Sequence, residues 1–94
     1  MMSKWTHNKY KILTTLQNAE LCVEDLEMYA DLKHLDLVPV FTALRHWGDI
    51  TVVREELNEL THRKRRIYQT SEKGKRKLEF LQERYGFTWI PKTF

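Results

Sequence analysis

VFTALRHWGDITVVREELNELTHRKRRIYQTSEKGKRKLEFL, residues 40–81, decides how this chain folds. The segment changes period twice. Phe41, Leu44 and Trp47 recur at helical spacing, flanked by Val40 and Ala43, and are predicted to face inward. Pro39 is predicted to open this helix, because a first-turn proline loses no needed donor. Thr42, Arg45 and His46 then look outward, Gly48 ends the helix and Asp49 sits in the turn. Residues 50–55, ITVVRE, are rich in β-branched side chains and read as a strand. Residues 56–62 form the connection, with Asn58 as a turn residue, and residues 65–69, RRIYQ, read as the returning strand. No Asn-Gly or Asp-Gly pair fixes the register of this hairpin. Ser71 is a good N-cap for a last helix, in which Leu78, Leu81 and Tyr85 share one face and Gly86 is the stop.

Two helices precede this segment. The first starts near Ser3 or Thr6 and runs to Leu16 or Gln17, with Ile12, Leu13 and Leu16 inward and Trp5 outside the main core. The second covers residues 23–32, with Val23, Leu26 and Ala30 on one face and Tyr29 at its edge. Glu24, Asp25 and Glu27 suit the positive end of its dipole. Residues 34–38, HLDLV, read as a turn and a stub of strand. The order is helix, helix, helix, strand, strand, helix. Such elements bury their apolar faces only together, as a three-helix core with a small sheet against it. The length of 94 residues fits one domain over 1–94, closing on a short apolar tail at 86–94.

Composition excludes several classes. The chain is 41% hydrophobic and 31% charged, which is too apolar for a disordered protein. No apolar run is long enough for a membrane helix, and the N-terminus MMSKWTHNKYK lacks a secretory h-region, so a cytoplasmic location is expected. Cys22 is the only cysteine, which rules out an internal disulfide and suits a small buried hydrophobe. The net charge of +3 hides a strong separation. Residues 61–77 hold eight Lys/Arg against one acid, a local +7; residues 20–36 hold six acids against one lysine, a local −5. A concentrated basic segment attracts polyanions whatever the total charge.

Residues 40–81 resemble the second half of bacterial and archaeal winged-helix regulators of the PadR and MarR type. The resemblance lies in a wing strand ending in Tyr68, followed by Ser71, Gly74 and Leu78 at the family's spacing. Thr70 stands where the family usually has leucine, and the third helix is shorter before its glycine. The resemblance implies a mainly α winged helix-turn-helix: three-helix core, two- or three-stranded wing and C-terminal helix. It also implies a DNA-binding transcriptional regulator, a repressor, with double-stranded DNA as partner and no small-molecule effector indicated. Thr42, Arg45 and His46 would meet the major groove, where arginine pairs with guanine O6 and N7. His62, Arg63, Lys64, Arg65 and Arg66 on the wing, with Lys73 on the last helix, would meet backbone or minor groove. The bland alternative is a solvated hairpin whose cations pair with Glu55, Glu56 and Glu59.

Other chemistries have little support. His7, His34, His46 and His62 are far apart and show no metal-ligand spacing, and neither a phosphate loop nor an HExxH motif occurs. The chain is therefore read as neither an enzyme nor dependent on a cofactor. Trp5, Tyr10, Phe80, Phe87, Trp89 and Phe94 cluster at the two ends of the chain and suggest a homodimer built from the terminal helices. The acidic second helix and sparse third-helix surface leave a second reading open, a winged-helix protein-interaction module without DNA. RNA binding is weaker still, because no aromatic stacking platform is legible.

Overall fold

A computed structural model of the chain describes residues 3–86 and Trp89. The elements are α1 (Lys4–Asn18), α2 (Val23–Ala30), α3 (His34–His46), β1 (Ile50–Asn58), β2 (Arg63–Thr70) and α4 (Glu72–Tyr85). Their order is the one the sequence predicts. Ser3 caps α1 by accepting the Thr6 amide at 3.1 Å. Ile12, Leu13 and Leu16 of α1 are wholly buried and meet Leu26 and Ala30 of α2, Leu37 and Leu44 of α3, and Leu78 and Leu81 of α4 in one core. Val23 and Tyr29 pack at its margin. Cys22 is buried and free.

The third helix corrects the sequence reading. Residues 34–38 are neither turn nor strand: α3 starts at His34, five residues before Pro39, and carries the proline inside. The amides of Asp36 and Leu37 already bond the Lys33 carbonyl at 3.0 and 2.9 Å. Pro39 offers no amide to the Leu35 carbonyl, but it lies on the exposed face, where water replaces the lost bond at low cost. Buried Leu37 extends the row of Val40, Phe41 and Leu44 back by a turn. That burial outweighs the proline.

Trp47 is a second correction. It was predicted to face inward, yet is 51% exposed. As the C-cap of α3 it precedes a turn at Gly48 (φ 77), and Ile50 enters the core instead. The Lys77 and Lys9 ammonium groups lie 4.9 and 5.7 Å from its ring centroid. Tyr85, placed with Leu78 and Leu81 by its spacing, is also exposed, since it falls in the last turn of α4 beyond the core. Helix α2 stops at Ala30 rather than Leu32, because Asp31 takes a left-handed conformation (φ 54) as its C-cap.

The hairpin is longer than predicted. β1 runs to Asn58 and β2 begins at Arg63, so only residues 59–62 turn. Antiparallel register pairs Ile50 with Thr70 at the base and Asn58 with Arg63 at the tip, with a bulge between Val52 and Arg54. The Asn58 side-chain oxygen accepts the Leu60 and Thr61 amides at 3.0 and 3.3 Å. This asparagine supplies the turn chemistry that an Asn-Gly pair would otherwise provide. Leu21 and Tyr68 exchange two backbone hydrogen bonds at 2.8 and 3.1 Å, a minimal third strand beside β2.

Besides its core contacts, α4 is held by a junction at its start. Ser71 Oγ accepts the Gly74 amide at 3.1 Å and donates to the Gly48 carbonyl at 2.5 Å, while the Ser71 amide donates to Asp49 at 3.0 Å. Thr70 Oγ1 donates to the Leu13 carbonyl at 2.8 Å. The fully buried Asp49 carboxylate pairs with Lys77 of α4.

Candidate nucleic-acid interface

The predicted α3 residues Thr42, Arg45 and His46 are exposed on the outer face of the helix. The longer helix adds Leu35 (85% exposed), Val38 and Pro39 to that surface. Sequence reasoning counted Val38 and Pro39 in the sparse third-helix surface but missed Leu35, because it began the helix too late. The signal was present: Leu37 stands three and four residues before Val40 and Phe41. Arg45 is not free in solvent. Its guanidinium carbon lies 5.1 Å from the Tyr68 ring centroid, the range of a cation–π contact. Phe41, one turn earlier on α3, meets the same ring edge-on, with centroids 4.9 Å apart and planes at 89°. The root of the wing therefore lies directly beside the exposed face of α3.

His62, Arg63, Lys64, Arg65 and Arg66 are all exposed, but they divide into two groups. Arg65 bonds Glu56 at 3.3 Å and reaches Cys22 Sγ at 3.7 Å, and Arg66 lies 3.8 Å from Glu55. Arg54 bridges Glu20 at 2.5 Å and Glu56 at 3.0 Å. Hydrogen bonding from Arg54, helped by Arg65, holds the Glu56 carboxyl below its ordinary range. The wing base is thus charge-compensated, as the bland reading of the hairpin expected for Glu55 and Glu56. Arg63 and Lys64, beside the tip, have no side-chain ion pair among the described residues. His62, in the tip, adopts a left-handed conformation (φ 55).

The basic start of α4 is also divided. Lys73 is exposed, yet its Nζ donates to the Trp47 carbonyl at 2.5 Å, at the negative end of α3. Lys75 bridges Glu72 at 3.2 Å and Lys77 holds Asp49. Among the described residues, no group of three His, Cys, Asp or Glu side chains is placed to hold a metal. His34 instead meets Glu27. No helix among the described residues is long and apolar enough to cross a membrane.

A three-helix core, a hairpin extending from it and a helix returning behind it have well-defined relatives among solved structures. PadR from Bacillus subtilis, in complex with operator DNA, superposes with a TM-score of 0.68 at 26% identity, over 92% of this chain and 51% of its own. The fold is a winged helix-turn-helix, similar to those of the PadR and MarR-family structures. A MarR-family transcriptional regulator from Silicibacter pomeroyi gives a TM-score of 0.62 at 18% identity, over 82% of this chain and 49% of its own. The protein smu.1704 from Streptococcus mutans UA159 gives 0.70 at 19%, over 89% of this chain and 79% of its own. This winged helix thus spans about half the length of the PadR and MarR chains. No protein-family model and no curated protein matches the sequence.

Proposed function

We propose that this winged helix is a DNA-binding transcriptional regulator, a repressor acting by occupancy in the cytoplasm. Helix α3 and the wing tip meet duplex DNA. The observation that carries the reading is the pair of cations near the wing tip, Arg63 and Lys64, without an ion pair among the described residues, on a wing whose root lies beside the α3 face bearing Thr42, Arg45 and His46. The operator DNA bound by the similar PadR structure supports it. Phosphate contacts from the wing give affinity, and Arg45 gives base preference. A homodimer presents two such faces to successive half-sites. The mechanism needs no small-molecule effector.

Titration with mixed genomic duplex at 50 and 200 mM salt tests this reading. Binding that weakens at least about tenfold between the two conditions is expected for several phosphate contacts. No binding at low salt would favour the protein-interaction module. That second reading has its own support in the α3 surface, where Leu35, Val38 and Pro39 offer apolar area and no hydrogen-bond donor from their side chains.

A further inference from the structure

The ring of Tyr68 sits between two side chains of one helix. Phe41 and Arg45 are four residues apart on α3 and so lie on the same side of it. Phe41 takes the ring edge-on and Arg45 covers it with its guanidinium. The ring itself has little freedom. Tyr68 is buried, its backbone N–H and C=O both bond Leu21, and it stands opposite Val52 in the register with β1. A long, exposed arginine is therefore anchored on a fixed surface supplied by the wing strand.

We infer that Tyr68 is a positioning residue: it holds Arg45 in one orientation and sets the angle between α3 and the wing, so that base preference depends on a side chain that need not touch DNA. The inference rests on the duplex-binding reading above. An unanchored arginine samples many rotamers and loses entropy on pairing with a base edge; a pre-placed one loses less. The contribution concerns discrimination between sequences. Arg45 keeps its charge whether or not the ring is present, so nonspecific attraction to phosphate is unaffected.

The test compares affinity for a selected site and for mixed duplex across wild type, Y68F, Y68L, R45A and the double variant R45A/Y68L. The phenylalanine keeps the aromatic face, so Y68F should hold the wild-type preference ratio. Y68L should lower that ratio about three- to fivefold, toward that of R45A, with an unchanged salt slope. The double variant should be no less selective than R45A alone, because both changes remove the same device. Additive losses, or a Y68L ratio equal to wild type, overturn the inference. A measurement on the free wild-type protein does not depend on how the variants fold: the Arg45 side-chain protons should show an upfield ring-current shift. Unshifted protons overturn the positioning role even if duplex binding is strong. Wild-type protein that binds no duplex overturns the regulatory reading and this inference together.

Discussion

At Gly74 the chain has no room for another carbon. A Cβ there would lie 2.2 Å from the Asp49 carbonyl oxygen and 2.7 Å from Thr70 Cγ2. The nearer obstacle is backbone, which itself accepts the Ser71 amide and so is poorly free to withdraw. Gly74→Ala should therefore destabilise by about 2–3 kcal/mol, a fall in melting temperature on the order of 10 °C, measured by circular dichroism. An unchanged transition would show that α4 docks less tightly than these contacts require. Gly74 and Ser71 were both legible as a capped, close-packed helix start, because each residue type answers a specific local demand. The partners were not. Nothing local in the sequence says that Lys73 is tied to Trp47, Lys77 to Asp49, or Arg45 to Tyr68, since all three contacts join residues more than twenty positions apart.

At the scale of elements, α3 and the wing carry the opposite lessons. Proline punctuation misplaced the start of α3, because tertiary burial of Leu37 decides that boundary and local propensity does not. The wing was found by composition, but its length and pairing depend on register, which β-branched residues alone do not specify. Register also changes what its charge is expected to do. Arg66 lies beside Glu55, whereas Arg63 and Lys64 face solvent without an ion pair among the described residues. Replacing Arg63, Lys64 and Arg66 together with alanine should weaken duplex binding broadly. The double variant R63A/K64A should produce most of that loss and reduce the salt slope by about 2. Equal contributions from all three positions would mean that the Arg66–Glu55 pair opens on binding.

For the molecule as a whole, the terminal aromatics separate into those used inside one subunit and those left over. Tyr10 is buried, with its hydroxyl accepting from Gln82 Nε2 at 3.1 Å, and Trp89 packs against the core under Lys11. Trp5 and Phe80 remain exposed on α1 and α4. Phe87 and Phe94 lie outside the described residues. A dimer formed through the terminal helices would use Phe80, so sedimentation equilibrium should give twice the chain mass for the wild type. Phe80→Glu should weaken association at least about tenfold through the cost of burying a carboxylate. A monomeric wild type at 100-fold dilution ranges above its DNA-binding concentration would remove the paired half-site mechanism while leaving the fold intact. The bond from Thr70 to the Leu13 carbonyl joins positions 57 apart in the chain. Closing so long a loop is slow and entropically costly, whereas the packing of α1 on α2 is local. The knot of bonds around Thr70 and Ser71 is accordingly expected to form late on the folding route and to open early on the reverse one, so that its loss should speed unfolding more than it slows folding.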